Sequence, residues 1–271
     1  MGGDVMKTFY ENYFKPQNVT PDSRIFSPEH IILSSLGIFF IICIIHAQMK
    51  RCDVNYSKKI LKCSAVIMMI LEIFRISWST FYYGFSLKNI RFDWCNQISL
   101  VLPFIVLAGR QGLYPYIDIL SFMGGAGVLI YPAWVFYDYA GIHIMSVQSM
   151  ISHTLMIIIP ISISFVSGHW ESEKNIRKPL KGFVCMALVA YIMSRALNVN
   201  YLIMLRADGI PLLRNFSFPW YWTVAIPCLV LSVNLVKLMF CKLSRIIDKK
   251  RAAKLEFDGS HYKDEEVESI I

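Results

Sequence analysis

Apolar residues along this chain gather into seven long stretches between Ser27 and Cys241, separated by connectors that are charged or rich in Pro and Gly. A helix rises about 1.5 Å per residue, so crossing the hydrocarbon layer takes roughly 20 apolar residues. The stretches are Pro28–Gln48, Ile60–Gly84, Cys95–Gly109, Tyr116–Tyr137, Ile144–Val166, Lys181–Leu205 and Phe218–Phe240. The third is the shortest. A soluble domain would have to bury all seven while only 17% of its residues are charged. The pattern therefore predicts an all-α, polytopic membrane helix bundle with about seven transmembrane helices. A re-entrant third stretch would leave six crossings and put both ends on one side.

The same pattern divides the chain into three parts. Residues 1–27 read as an N-terminal extramembrane segment, 28–241 as a seven-helix transmembrane domain and 242–271 as a cytoplasmic tail. The tail runs from basic (Arg245 to Lys254) to acidic (Asp264 to Glu268). The first thirty residues are mixed polar rather than a signal peptide, so the first span is expected to act as the targeting element.

Charge orients this frame. The net charge is +8, but the Lys and Arg lie in connectors rather than in one patch, so no nucleic-acid partner is expected. Of these basic residues, 17 fall on the side of the tail, counting Lys62 and Lys181 at the edges of their stretches, and 7 on the side of the N-terminus, with Arg75, Arg195 and Lys237 deeper inside spans. That asymmetry predicts an integral membrane protein with its N-terminus extracytoplasmic and its C-terminus cytoplasmic. The membrane itself is not specified. The basic part of the tail suits anionic headgroups, and the acidic end is expected to be disordered. The final Ser269-Ile270-Ile271 has the form of a carboxylate-terminal ligand for a protein partner that offers a sheet edge. Asn18-Val19-Thr20 and Asn215-Phe216-Ser217 are glycosylation sequons on the predicted outer side.

Polar side chains inside the spans need a partner or a role, because an ionisable group at the bilayer centre costs about 2.5–3.5 kcal/mol on insertion scales. Glu72 and Arg75 lie three apart in the second span, on one helix face, as an ion pair that fixes register or as part of a site. Arg195, Asn198 and Tyr201 recur every three residues, which predicts one stripe facing inward. Its guanidinium could grip a phosphate or carboxylate, snorkel to the interface or satisfy a helix end. His153 sits mid-span with Gln148 and Ser149 one turn earlier, and reads as a functional group or a hydrogen-bonded packing residue. His30, His46, His143 and His169 bracket spans and read as interfacial. Cys95 opens the third span among polar neighbours, as a packing cysteine or a nucleophile. Gly124-Gly-Ala-Gly127 lets helices approach closely. The seven cysteines show no CxxC and no HExxH-like pair is present, so neither a metal site nor a cofactor is expected.

Taken in order, several of these residues resemble a known family. Ser27-Pro-Glu-His30 opens the first span, Glu72 sits in the second, and Gly125 and Pro132 lie in the fourth. Ser152-His153 falls in the fifth, and Asn200-Tyr201-Leu-Ile-Met-Leu205 in the sixth. Trp220-Tyr-Trp222 begins the seventh. From about Ile25 to Phe240 the chain resembles the YwaF-like integral membrane proteins, which include the transmembrane protein 164 family. The resemblance implies a phospholipid acyltransferase that forms a thioester through a cysteine and a histidine, with membrane phospholipids as substrates. Carried across residue by residue, Cys95 is the implied nucleophile and His153 the implied base. Asn96 follows Cys95 where the family usually places a His next to or near the Cys. Arg195, Asn198, Tyr201, Glu72 and Arg75 are the expected substrate-binding residues. A transporter or receptor-like binding bundle, lined by Glu72, Arg75, Arg195 and Asn198, and a non-catalytic scaffold are the competing readings.

Overall fold

The computed structural model describes residues 2–16, 26–131, 139, 142–167, 176–205 and 219–268. Among the described residues there are eight α-helices and no strand. They are α1 (Gly2–Tyr13), α2 (Pro28–Arg51), α3 (Val54–Tyr83), α4 (Trp94–Leu107), α5 (Tyr114–Ile130), α6 (Ile144–Ser167), α7 (Arg177–Leu197) and α8 (Trp222–Glu268). The sequons, Pro132 and the last three residues lie outside the described residues.

The sequence marks several boundaries by local chemistry. Ser27 opens α2, its Oγ accepting the His30 N–H at 3.3 Å, with Pro28 at the first helical position, where its missing N–H costs nothing. Cys52 closes α2 in the left-handed region, and Asp53 caps α3 by accepting the Asn55 N–H at 2.8 Å. The turn between these two long helices is thus only two residues.

Each of α2 to α8 falls on one of the seven apolar stretches. Among the described residues, five helices are long and apolar enough to cross a membrane: α2, α5 with its preceding turn, α6, α7 and α8. With 14 residues, α4 rises only about 21 Å. The 30-residue α3 is not among the five, and it carries Glu72 and Arg75 within its apolar run.

One helix is the centre of the bundle. α6 packs against α2, α3, α4, α5 and α8, and 83% of its apolar window is buried, against 17% for α2 and α7 and 11% for α8. The rim helices therefore turn their apolar faces outward, as lipid-facing helices do. α6 carries Gln148, Ser152, His153, Thr154, Ser162 and Ser164 because its surroundings are protein. Pro160 interrupts its ladder: without an N–H it leaves the Met156 carbonyl with no helical donor. Ser121 of α5 supplies one, its hydroxyl donating to Met156 O at 2.7 Å. Next to that bond α5 has no side chain at Gly125, where a Cβ would lie 2.5 Å from His153 O. On α7, a Cβ at Gly182 would overlap the Tyr116 carbonyl. The two glycines are where α5 is closest to its neighbours, as small residues allow in lipid.

The two ends of the bundle are fastened differently. At one end, Trp78 Nε1 donates to Phe14 O at 3.1 Å and His143 Nε2 faces Lys15 O at 3.0 Å, holding the segment that follows α1. The Tyr10 and Tyr82 hydroxyls also meet there, at 2.5 Å. At the other end, Arg251 donates through Nη2 to Phe165 O, and Lys254 Nζ donates to Arg51 O at 2.9 Å. Two cations of α8 thus sit on carbonyls in the last turns of α6 and α2, the negative ends of those helices. Gln48 Nε2 donates to Ser162 Oγ at 3.2 Å nearby. α8 crosses the expected boundary at Cys241 without a break. Its backbone stays helical to Glu268, because propagating a formed helix is easier than starting one and its Lys, Glu and Ala residues favour it.

Candidate functional site

The candidate chemistry gathers toward the α1 end, where α4 begins, α5 ends and α6 begins. Cys95 is the second residue of α4, and Trp94 before it donates through Nε1 to Leu120 O of α5 at 3.0 Å. Cys95 Sγ is thereby set against bare backbone: a Cβ at Gly124 would lie 3.3 Å from it. Gln97, one turn into the helix, donates through Nε2 to Phe92 O at 2.7 Å and to Met186 O of α7 at 3.0 Å. The start of α4 is therefore tied to both neighbouring helices.

His153 approaches from α6, ten residues into that helix. Its Nδ1 lies 2.7 Å from Ser149 O and 3.3 Å from Ser149 Oγ. A carbonyl can only accept, so Nδ1 carries the proton and Nε2 is a bare lone pair. Nε2 is buried and has no hydrogen-bond partner among the described residues, in a residue only 8% exposed. Its backbone oxygen abuts Gly125, the residue after the one that faces Cys95. Cys95 and His153 thus flank consecutive glycines of α5, and no hydrogen bond joins their side chains among the described residues.

Glu72 and Arg75 are both buried and satisfy one another. Arg75 Nη2 lies 2.6 Å from Glu72 Oε1, and Nε donates to Oε2 at 3.1 Å. Arg75 Nη1 also donates to Asn89 O at 3.1 Å, fastening α3 to the turn that follows it. Gln148 of α6 reaches α3 too, donating to Leu71 O at 3.2 Å. The pair faces protein and spends its donors there.

The expected stripe of Arg195, Asn198 and Tyr201 does not form. α7 ends at Leu197, and Asn198 turns left-handed with φ 51°, so the three-residue period stops there. Arg195 is exposed, 6.0 Å above the Tyr191 ring, and Asn198 is exposed as well. Tyr201 alone is buried, 2% exposed, its ring edge-on to Phe92 at 5.6 Å. Its hydroxyl has no partner among the described residues. The next residue, Leu202, is left-handed with φ 50°, a conformation that costs a non-glycine residue about 1–2 kcal/mol. Its N–H is held by Asp93 Oδ1 at 3.1 Å. Phe92 and Asp93 lead directly into Trp94 and Cys95, so this strained turn is fastened to the segment that positions Cys95.

Several buried polar residues were not singled out from the sequence. Asp118 is fully buried, the fifth residue of α5, and accepts the Ile119 N–H at 2.7 Å. It had the same signal as Glu72, a carboxylate in an apolar run. Ser121, Gln97 and Gln48 carried no such signal, since uncharged residues are common in spans. Surface clefts among the described residues include two of measurable size. One of about 330 Å³ is lined by Phe9, Tyr13, Phe14, Ile142, Ile144 and Val147. The other, about 470 Å³, is lined by Arg110, Gly112, Leu113 and Tyr116. None of Glu72, Arg75, Arg195 or Asn198 lines either.

Comparison with known proteins gives one finding. The sequence model of the TMEM164 family matches residues 25–238, a stretch that takes in every helix from α2 to most of the apolar part of α8. Neither a curated protein nor a solved structure matches the chain.

Proposed function

The chain belongs to the TMEM164 family of membrane proteins, and on that premise we propose that it is a phospholipid acyltransferase in which Cys95 is the nucleophile and His153 the base. The observation that carries this reading is the bare Nε2 of His153. A buried polar atom without a partner costs about 1–3 kcal/mol, and in a membrane span an ionisable group kept at such a cost marks a functional site. The lone pair lies on the helix whose approach to α5 adjoins that of Cys95.

In the first half-reaction the Cys95 S–H bond breaks and its proton passes to His153 Nε2. Sulfur attacks the carbonyl carbon of a glycerophospholipid ester, the bond from that carbon to the glycerol oxygen breaks, and the leaving oxygen takes the proton from Nε2. A lysophospholipid departs and the acyl chain remains as a thioester on Cys95. A second lysophospholipid hydroxyl reverses these steps. The proton transfer requires Cys95 to turn toward Nε2, or one water between them, a tightening usual when substrate binds. Nδ1–H on Ser149 O holds the imidazole in the tautomer this needs. The exposed Arg195 is placed to meet a headgroup, whereas Tyr201 is buried against Phe92 and Glu72 and Arg75 act through each other. The tail and its terminal Ser269-Ile270-Ile271 remain a proposed docking point for a protein partner.

The test is acyl exchange between phospholipids by purified protein in liposomes, comparing the native chain with Cys95→Ala and His153→Ala. Loss of exchange in both variants, each retaining native unfolding behaviour, supports the pair. Full activity in both would sink it. A second reading, a scaffold without catalysis, draws on the number of inter-helix bonds made by Ser34, Gln97, Ser121 and Gln148. No exchange by the native chain in any lipid mixture would favour it.

A further inference from the structure

The reactive groups sit at unequal distances from the two membrane surfaces. One end of the bundle holds the end of α3, the start of α4, the end of α5, the start of α6 and the segment after α1. The other holds the ends of α2 and α6 and the cations of α8. Gly124, level with Cys95, is six residues from the end of α5, about 9 Å along its axis. His153 is two to three residues on the α1 side of the midpoint of α6, about 4 Å from it. Side chains lean toward the start of their own helix, so the imidazole leans further that way. Both groups therefore lie in the half of the bundle that faces the α1 end.

Phospholipid esters lie at the boundary between headgroup and hydrocarbon, about 15 Å from the midplane of a layer about 30 Å thick. An ester from the leaflet at the α1 end needs to descend only part of that distance to meet Cys95, with its headgroup still in water. An ester from the other leaflet would have to cross the midplane and carry its headgroup with it. The interior of the bundle is also tightly packed on that side. Ile159, Ile163 and Phe165 fill the lower half of α6 with no exposure, and below them Arg251, Lys254 and Gln48 bond across the end.

We infer that the acyl donor and acceptor are glycerophospholipids of the leaflet opposite the basic segment of α8. This rests on the acyl-transfer reading and adds to it a side of the membrane. With the excess of Lys and Arg held at the cytoplasmic face, that leaflet is the extracytoplasmic one.

The experiment uses the full chain in liposomes sorted by tail orientation, which protease cleavage of the tail from outside reports. A donor phospholipid with a labelled acyl chain is introduced into the outer leaflet alone. Exchange is expected in vesicles whose tails point inward and is expected to be lost in those whose tails point outward. Exchange restricted to the tail-outward vesicles, or equal in both before the label flips, overturns the sidedness while leaving acyl transfer standing. Absence of exchange in both overturns acyl transfer. Depth is then decided separately, by a chain that keeps Cys95 with its six other cysteines replaced and carries a lipid-soluble fluorophore there. Nitroxide lipids confined to the outer leaflet are expected to quench it more strongly in tail-inward vesicles. Stronger quenching in the tail-outward ones overturns the placement.

Discussion

Ser121 donates its hydroxyl proton to the Met156 carbonyl, 2.7 Å away, the same carbonyl that Pro160 deprives of a helical partner. The bond repairs α6 from outside and fixes the register of α5 on it, one turn from the glycines that flank Cys95 and His153. Ser121→Ala is expected to lower stability by about 1 kcal/mol, within the range of such bonds between membrane helices. Pro160→Ala restores the N–H, so the loss from Ser121→Ala should shrink in that background. Unfolding in mixed micelles across the four chains measures the coupling, and additive effects would contradict it.

Gly125 and Gly124 are adjacent but face different neighbours. A Cβ at Gly125 meets the His153 backbone oxygen at 2.5 Å, which cannot move without shifting α6. At Gly124 the closest atom is Met156 Cε at 2.9 Å, the free end of a flexible side chain. Gly125→Ala is expected to cost about 1–3 kcal/mol, and Gly124→Ala clearly less. Equal midpoints for the two variants would contradict the helix separation described.

For the buried pair, removing one partner strands the other. Glu72→Leu is expected to destabilise by about 3–5 kcal/mol, whereas the apolar double replacement Glu72→Leu with Arg75→Leu should recover much of that loss. The recovery will be incomplete, because Asn89 O also loses its donor. Denaturation in lipid micelles of the three variants reads this directly.

His143 supplies the pH dependence. It lies just before α6, where Nδ1 accepts the Met145 N–H at 3.2 Å and Nε2–H faces Lys15 O. Burial is the main cause that lowers its pKa below the ordinary 6.5, with the Lys15 carbonyl opposing. A group protonated more readily when unfolded makes the native chain lose stability as pH falls. The hold on the segment after α1 should therefore be intact above about pH 6.5 and weaken progressively below it. The protection of amides in residues 2–16, measured against their intrinsic exchange rates at each pH, is expected to fall on acidification, and His143→Asn should flatten that dependence. An unchanged profile in the variant would assign the effect elsewhere.

The helices were legible in the sequence because lipid leaves so few alternatives: every backbone group in a span must bond within its own segment. Pro160 even announced that some donor would have to reach Met156, although only the folded chain names Ser121, 35 positions away. The stripe from Arg195 to Tyr201 failed for a local reason, since three-residue spacing holds only while the helix continues and Asn198 ends it. Asp118 was as visible as Glu72. It lacked a cation three or four residues away, and so drew no attention. The convergence of Cys95 and His153 upon neighbouring glycines depends on which helices are adjacent, which spacing along a chain does not encode.

Lys254 takes the carbonyl of Arg51 across 203 positions of sequence. A ribosome making this chain completes α2 well before α8, so that contact forms only after α3 to α7 have been synthesised. Until then α2 and α6 have no cation on their final carbonyls, and the assembling bundle stays open at that end. A chain stopped after α7 would hold every residue of the proposed chemistry and still lack its closure. That end of the bundle is thus closed by a helix that carries none of the proposed chemistry.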